Sequence, residues 1–378
     1  MQSAQHLDGT AALWFSMELA ARTWKVAVTD GKRLNPTLLK LDAEQRWARL
    51  NDLLAQLQAL LRKWGLPAGA PVAVIYEAGQ DGFWIARELQ KRGLQVFVVD
   101  AASIPVARQA RRRKTDRLDA LKLLEVLRAW LRGERSEVHM VRIPTEDTEA
   151  QRLLARERGL LQKEVSQHRD RIRKLLLLQG CADALDESFP ERLMAGQVRH
   201  ADGRPLPQQL WDWLLLEWER LELAQRQLAA LERTLLQQLP DSVQRCVATL
   251  AQLKGVGWVG AMRLVLELFW RDFTNRRQIG ACVGLVAQPY DSGDSHTDQG
   301  ISKQGNRRVR ALLIEMAWMW LRHQPGSQLA QWFGRRTSGA NKRGKRVAIV
   351  AVARRLAIAL WQYLRHGVMP AGAQLKTC

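Results

Sequence analysis

The sequence predicts an α/β domain at the N-terminus, then a region of long helices and a mostly helical C-terminal region. Short β-branched runs alternate with helical periodicity up to about residue 100, and two long heptad patterns occupy the middle of the chain. Helical periodicity then continues from Ser242, with one polar, glycine-rich insertion. The length of 378 residues allows two or three domains. We place them at residues 1–140, 145–240 and 241–378.

The N-terminal elements occur in a diagnostic order. Apolar alternation and leucine spacing predict strands at 13–19, 23–30 and 37–42, a helix at 44–64, a strand at 71–78, a helix at 81–92, a strand at 94–100 and a helix from about Ile104. The first two strands are joined by the tight turn AAR and form a predicted hairpin. This order of hairpin, strand, helix, strand, helix, strand and helix is that of a ribonuclease-H-like domain.

Two long helices with heptad spacing are predicted in the middle of the chain. The first spans residues 146–179 after Thr145, a suitable N-cap residue, and the second spans about 208–239. A connector with proline and glycine, residues 180–207, joins them. The pattern fits an antiparallel hairpin within one chain or a coiled coil between two chains, and sequence alone does not separate these alternatives.

The C-terminal region begins with a stretch that has the form of a helix-hairpin-helix. In LKGVGWVGAMRLVLELF, residues 253–269, Gly255 and Gly257 allow a tight turn that leaves backbone N–H groups free to bind a phosphate. A plain turn between core helices is the other explanation. A polar, glycine-rich loop is predicted at 288–306, and a helix, NRRVRALLIEMAWMWLR, begins at Asn306.

The charge balance predicts a nucleic-acid partner. The chain has 58 Lys and Arg against 38 Asp and Glu, a formal net charge of +20 and a pI near 10.6. Surface cations gain affinity for nucleic acid by releasing condensed counterions. The segment GRRTSGANKRGKR, residues 334–346, is either a phosphate-binding arm or a solvated loop, and the overall charge favours the arm. Its expected nucleic-acid contacts are Lys342, Arg343, Lys345 and Arg346.

The sequence predicts neither a membrane span nor secretion. The apolar run VAIVAVARRLAIALW is broken by Arg354 and Arg355, and the N-terminal MQSAQHLDGT lacks the organisation of a secretory signal. The four cysteines are far apart and form no CxxC pair, which suits a reducing cytosol and argues against a zinc site. We therefore expect a cytoplasmic protein.

Four acidic residues are candidates for a metal site. Glu18 lies on the first predicted strand, Glu77 near the end of VAVIYEA, and Asp116 and Asp119 three apart on one helical face. Two-metal phosphoryl transfer needs several carboxylates around two Mg²⁺ ions about 4 Å apart. Ion pairing with neighbouring basic residues is the alternative for each acid alone. The basic residues directly before Asp116, which we expect to bind nucleic-acid backbone, are Arg111, Arg112, Arg113 and Lys114.

The stretch VIYEAGQDGFWIARELQKRGLQVFVVDAASIP, followed by RRRKTDRLDA, resembles the RuvC-like domain of the DEDD transposases. These are the recombinases of insertion-sequence family one-hundred-and-ten, its eleven-eleven subgroup and the related Piv-type DNA invertases. LKGVGWVGAM, ACVGL, DSGDS and GISKQGNRRVR resemble their C-terminal transposase domain, in the same order. The resemblance implies site-specific recombination of a bacterial insertion sequence. It also implies a noncoding bridge RNA that joins donor and target DNA, assembly into dimers and tetramers, and association with the nucleoid.

The resemblance also implies roles for particular residues. The metal ligands fall on Glu18, Glu77, Asp116 and Asp119, although the family normally has aspartate at the first position, and the extra methylene of glutamate changes its reach by about 1 Å. The family's serine nucleophile, which becomes covalently joined to DNA, matches Ser292.

Some choices around the serine stay open. Ser295 is the second candidate for the nucleophile, and without the resemblance a turn serine beside Gly293 is the ordinary explanation for Ser292. Basic residues just past the serine suit a scissile phosphate, chiefly Lys303, Arg307 and Arg308. A metal-only junction nuclease and a non-catalytic nucleic-acid-binding protein are the alternative functions.

Overall fold

The computed structural model describes residues 13–33, 35–67, 69–79, 82–104, 115–134, 138–181, 183–292, 295–303 and 305–376. The chain divides into two units, Met1–Thr145 and Glu146–Cys378. The first is a sheet with helices and the second is mostly helical, so the predicted α/β N-terminal fold and helical remainder are confirmed.

A five-stranded sheet in the order β3-β2-β1-β4-β5 organises the first unit. Its strands are β1 (Leu13–Leu19), β2 (Trp24–Thr29), β3 (Thr37–Leu41), β4 (Val72–Glu77) and β5 (Gln95–Val99). β2 is antiparallel to both of its neighbours, β1 and β3, whereas β1, β4 and β5 are parallel to one another. The helices are α1 (Arg46–Lys63), α2 (Trp84–Lys91) and α3 (Asp116–Leu131), with a 3₁₀ turn at Ala101–Ser103.

Helices cover both faces of this sheet. Alternate residues of β1, such as Phe15 and Met17, are buried in the core that includes leucines of α1 and α2. Ser16, which points the other way, is buried beneath α3 together with Ile75 of β4. Burial of both faces explains why runs such as VAVIY are almost continuously apolar.

The described part of the second unit is helical apart from one hairpin. The helices are α4 (Glu146–Leu177), α5 (Phe189–Met194), α6 (Gln208–Leu235), α7 (Asp241–Ala251), α8 (Trp258–Leu264), α9 (Arg276–Cys282), α10 (Arg307–His323), α11 (Gln328–Thr337) and α12 (Lys342–His366). A π-helical segment, Val265–Phe269, directly continues α8. The antiparallel hairpin consists of β6 (Ala287–Ser292) and β7 (Ser295–Ile301), where the sequence predicted a loop.

The two long helices α4 and α6 pack against each other within one chain. Arg158 pairs with Glu232 at 2.6 Å, and His168, further along α4, contacts Glu217, which is earlier in α6, at 2.6 Å. The helices are therefore antiparallel. The heptad pattern allowed a hairpin within one chain or a coiled coil between two chains, and the structure shows the hairpin within one chain. Coiled-coil supercoiling is not confirmed.

Among the described helices, α12 alone is long and apolar enough to cross a bilayer by length and composition. Its apolar face packs into the core of the second unit against α9 and α10. Arg355, one of the two arginines within its apolar run, lies over the ring of Trp332, 4.0 Å from its centroid. We therefore interpret α12 as a core helix. Its buried residues are Ala348, Ile349, Val352, Ala353, Leu356, Ala357 and Leu360.

Glu217 makes the second unit sensitive to acid. Burial opposes the charge of this carboxylate, but hydrogen bonds from His168 and Arg220 outweigh burial and hold its pKa below the usual range. A lowered folded-state pKa means that the charge stabilises the fold at neutral pH and that this stability is lost as the pH falls below the range of an ordinary carboxyl group.

We expect Glu217→Gln to lower the free energy of unfolding by about 1–2 kcal/mol at neutral pH, since it removes a charged acceptor from three donors, His168, Arg171 and Arg220. The difference between the variant and the wild type is expected to narrow between neutral pH and acid, as the pH falls through the lowered folded-state pKa and the wild-type carboxyl group also becomes protonated. Urea unfolding at neutral and at acid pH measures the difference. A gap that persists undiminished in acid contradicts this role for Glu217.

Candidate functional site

The carboxyl ends of β1 and β4 lie side by side at one edge of the sheet. The two strands are parallel, and their last pair in register is Met17 with Tyr76. Glu18 and Glu77 are the next residues, so they occupy adjacent positions on strands about 4.8 Å apart. By strand alternation both stand on the face where Ser16 contacts α3.

α3 begins with a well-formed cap and two acids. The hydroxyl oxygen of Thr115 accepts a hydrogen bond from the N–H of Leu118 at 3.3 Å. Asp116 and Asp119 therefore fall in the first turn, where the helix dipole favours negative side chains.

Two hydrogen bonds fix the direction of α3 across the sheet. The hydroxyl of Ser16 donates to the carbonyl of Ala120 at 2.5 Å. About two turns further along, the guanidinium of Arg128 donates to the hydroxyl of Thr29 at 3.2 Å, near the start of β1. Thus α3 runs antiparallel to β1, and its N-terminus points toward the edge that Glu18 occupies.

The four predicted metal ligands therefore come from backbone positions that converge. Glu18 lies about 7 Å beyond the Ser16–Ala120 contact along β1, and Asp116 lies about 6 Å beyond it along α3. Carboxylates are the ligands that hard divalent cations prefer, so the donor chemistry and the placement fit such a cation. Among the described residues, no three His, Cys, Asp or Glu side chains are grouped closely enough to hold an ion. Ligation would require these carboxylates to turn toward one another.

The charged neighbours of the four acids test whether they form ion pairs with basic residues instead of a metal site. Within the described part of the chain, no ion pair is seen for Glu77, Asp116 or Asp119. Glu18 differs, because Lys25 of β2 stands opposite it in the register. Glu77 is exposed, so burial does not require an ion to compensate its charge. The predicted backbone-binding cations Arg111, Arg112, Arg113 and Lys114 lie outside the described residues.

Both candidate serines lie at the tip of the β6–β7 hairpin. Ser292 is the last residue of β6 and pairs with Ser295, the first residue of β7. Gly293 and Asp294, between them, lie outside the described residues. Directly opposed residues of antiparallel strands have Cα atoms about 5 Å apart, so the two serine positions are adjacent.

The structure does not bring the predicted phosphate-binding cations to the serine. Lys303 follows β7, and Arg307 and Arg308 begin α10, so all three lie at the base of the hairpin. β7 is about 20 Å long between its ends at the usual rise per residue. The interpretation that these cations hold the phosphate attacked by Ser292 is therefore not supported by their placement.

The turn of the predicted helix-hairpin-helix is packed against other parts of the second unit. Gly255 has φ +79°, and a Cβ there would approach the carbonyl of Met319 at 3.0 Å, so glycine is required. The N–H of Lys254 donates to the carbonyl of Gln374 in the C-terminal segment at 3.1 Å, and Gly257 is the N-cap residue of the short α8. These contacts give the turn a packing role, and the phosphate-binding interpretation is not confirmed.

The basic segment at 334–346 is neither an extended arm nor a loop. It consists of the end of α11, a short turn and the first turns of α12, which Asn341 caps by accepting from the N–H of Gly344 at 2.9 Å. The basic side chains at the start of α12 are exposed and form a cationic surface on a helix. They are Lys342, Arg343, Lys345 and Arg346.

Two family models match this sequence. A model of the DEDD transposase of the IS110 type, described as a transposase, matches residues 23–179. A second, described as the transposase IS116/IS110/IS902 family, matches residues 247–331. The first match includes Glu77, Asp116 and Asp119 but begins after Glu18, and the second includes Ser292.

Several similar proteins are transposases by name. The putative transposase y4rJ of Sinorhizobium fredii is 39% identical over 97% of this chain and 95% of its own length. The transposase for insertion sequence element IS1328 of Yersinia enterocolitica is 26% identical over 79% of this chain and 85% of its own length. The transposase for IS1111A of Coxiella burnetii is 32% identical over 30% of this chain and 31% of its own length.

Proposed function

This chain belongs to the IS110/IS116 family of transposases, and we propose that it is an RNA-guided, site-specific DNA recombinase with a serine nucleophile and an acidic, Mg²⁺-binding cluster. Transposases act on DNA, and the DEDD domain implies the use of a divalent metal. The identity of the metal, its two-ion stoichiometry, the bridge RNA and the assembly into dimers and tetramers are parts of the proposal.

The convergence of β1, β4 and α3 is the observation on which the proposal depends most. Glu18, Glu77, Asp116 and Asp119 would hold Mg²⁺ at the edge of the sheet. When bound there, the metal would supply positive charge to the phosphodiester that is cut and to the hydroxyl that leaves. The Thr115 cap fixes the first turn of α3, and the helix dipole there favours the negative charges of Asp116 and Asp119, which would bind the ion.

In the proposed reaction Ser292 attacks a DNA phosphodiester. An Oγ–P bond forms and the bond between phosphorus and one ester oxygen breaks, so that the serine proton leaves and the released strand end becomes a hydroxyl. The hydroxyl of another strand then attacks the phosphoserine, restores a phosphodiester and returns Ser292 to its free form. Bond energy is conserved in the phosphoserine, so strand exchange needs no ATP.

The cationic surfaces have a separate role in this scheme. Lys303, Arg307 and Arg308 at the hairpin base contact phosphates away from the one that is cut. The exposed cations at the start of α12 bind further nucleic-acid backbone, without reading its sequence. Sequence recognition would come from the bridge RNA.

A recombination assay tests the proposed function. We expect purified protein, Mg²⁺, the noncoding RNA of the element and DNA with donor and target junctions to yield rejoined products and a covalent protein–DNA adduct. Omitting the RNA is expected to abolish both on those junctions. Equal joining without RNA overturns the RNA guidance, and free cut ends without an adduct identify a metal-only nuclease instead.

A further inference from the structure

Glu267 is a buried carboxylate for which the proposed chemistry has no use. It lies on the π-helical segment, and its side chain is 6% exposed. One carboxylate oxygen accepts from the guanidinium of Arg156, on α4, at 3.4 Å, and the other accepts from the amide nitrogen of Asn306 at 3.1 Å. Short π-helical segments are rare and occur frequently at functional sites. Glu267 thus links α4 to the start of α10.

Asn306 connects the serine hairpin to α10. Its side-chain oxygen caps α10 by accepting from the N–H groups of Arg308 and Val309 at 3.1 and 3.2 Å. Its backbone N–H donates to the carbonyl of Cys282 at 3.0 Å. Because the side-chain oxygen faces the helix, the side-chain nitrogen must face Glu267, and a carboxylate is the acceptor that matches it.

The base of the hairpin is fixed by further contacts. The N–H groups of Ser302 and Lys303 donate to the carbonyls of Val286 and Gly284 at 2.9 and 3.2 Å. Lys303 has φ 56°, a conformation that non-glycine residues keep only when their surroundings hold it. Gly305 packs so closely on α9 that a Cβ there would have no room. Among the described residues between β7 and α10, Ser302, Lys303, Gly305 and Asn306 are therefore held in place.

The base determines where the tip with the serines lies, because β6 and β7 connect the two. With a hairpin about 20 Å long, a rotation of about 10° at the base displaces the tip by about 3 Å. A misplacement of about 1 Å in a reacting group can cost a hundredfold in rate. A small displacement at Asn306 therefore produces a larger displacement of Ser292, which is expected to slow its reaction.

We propose that Glu267, held by Arg156, is a positioning residue that fixes the Asn306 cap and thereby aims the serine hairpin. This proposal depends on the proposed role of the hairpin serine, which is tested separately below. Glu267 does not touch DNA in this scheme. Its effect on the reaction passes through Asn306 and the base of the hairpin.

Two single variants and their combination test the bond between these residues. Asn306→Asp retains a good capping residue but replaces the donor facing Glu267 with a second carboxylate. Glu267→Gln leaves either Arg156 or Asn306 facing a donor instead of an acceptor. In the double variant, the glutamine oxygen can accept from Arg156 while its nitrogen donates to Asp at position 306, so every group is again matched.

We expect Asn306→Asp to slow formation of the serine–DNA adduct by about tenfold to a hundredfold. The double variant is expected to recover to within about threefold of the wild-type rate, well above Asn306→Asp alone. Glu217→Gln is the matched control, since it alters a buried acid of the same unit that has arginine and histidine partners but no contact with the hairpin. It is expected to leave the adduct rate within about twofold at temperatures where it is folded.

Hydrogen exchange of the amides of β6 and β7 separates this proposal from the proposed function. We expect faster exchange there in Asn306→Asp than in wild type and Glu217→Gln, with protection restored in the double variant. A wild type that forms no adduct would defeat the serine mechanism while leaving this measurement intact. The role of Glu267 would be overturned if Asn306→Asp showed the same hydrogen exchange and adduct rate as the wild type. It would also be overturned if the double variant formed the adduct no faster than Asn306→Asp.

Discussion

Replacing Ser292 with alanine is expected to abolish the covalent protein–DNA adduct and to slow strand joining by at least about a thousandfold. The alanine variant has no hydroxyl to form the Oγ–P bond, and β6 has no other serine or threonine. The rate of adduct formation is measured on denaturing gels with labelled DNA. DNA binding is expected to change little, because the cationic surfaces that we propose bind backbone are unchanged in this variant.

Ser295→Ala is the matched control for this substitution, since Ser295 is the cross-strand partner of Ser292 at the same tip. We expect this control to retain the adduct. If the two results are reversed, the nucleophile is Ser295 and the tip of the hairpin keeps its role. An adduct that survives removal of both serines contradicts a serine nucleophile at this hairpin.

Replacing Asp116 with asparagine is the second large effect that we expect. Loss of one charged ligand from the proposed set of four should lower the rate of adduct formation by about a hundredfold to a thousandfold. Enzymes lose a similar factor when a group that stabilises charge in the transition state is removed. Weaker binding of Mg²⁺ in the presence of DNA is expected as well, and calorimetry measures it directly. Treatment of the wild type with EDTA should reproduce the loss, and added Mg²⁺ should reverse it.

Asp147→Asn is the control for Asp116→Asn, because Asp147 is an exposed acid that also lies in the first turn of a helix, α4. It is expected to bind Mg²⁺ and react like the wild type. Undiminished Mg²⁺ binding and adduct formation in Asp116→Asn, or in the wild type with EDTA, would remove Asp116 from the metal site and leave the ion-pair explanation.

Much of the first unit could be predicted from the sequence, because its signals are local. The run around Ile75 is apolar and β-branched, and it forms β4 within a residue or two of the predicted ends. Glu18 was assigned to the first strand, Glu77 to the end of a later strand, and Asp116 and Asp119 to one face of a helix, on the same local grounds and by resemblance, whereas the start of α3 at Asp116 was not predicted. What brings them together is the register of β1 with β4 and the Ser16–Ala120 bond, neither of which any local pattern specifies.

The hairpin was missed because its strands are polar. QPYDS and SHTDQGI lack the apolar alternation that identifies a strand with one buried face. Gly293-Asp294 is a two-residue turn signal of the kind that joins hairpin strands, and it was the one available clue. Without the strands, the cations at Lys303 and Arg307 appeared to adjoin the serine, whereas the length of β7 places them at the far end.

Glu267 was beyond the reach of sequence analysis for a different reason. It is a single acid in an apolar helical stretch, and its partners Arg156 and Asn306 are 111 and 39 positions away in the chain. Only the packing of α4, the π-helical segment and α10 makes the three adjacent. The heptad pattern of α4 is similarly ambiguous, because packing within a chain and between chains buries the same positions.

Mass spectrometry of the trapped adduct tests most directly whether the hairpin serine and the acidic edge act on one phosphodiester. The adduct formed with Mg²⁺, RNA and junction DNA is digested with protease and nuclease, and the modified peptide is sequenced. We expect a nucleotide on Ser292, absent when Mg²⁺ is withheld or Asp116 is replaced by asparagine. A nucleotide on a residue outside the hairpin, or one on Ser292 that forms equally without metal and without Asp116, would contradict this mechanism.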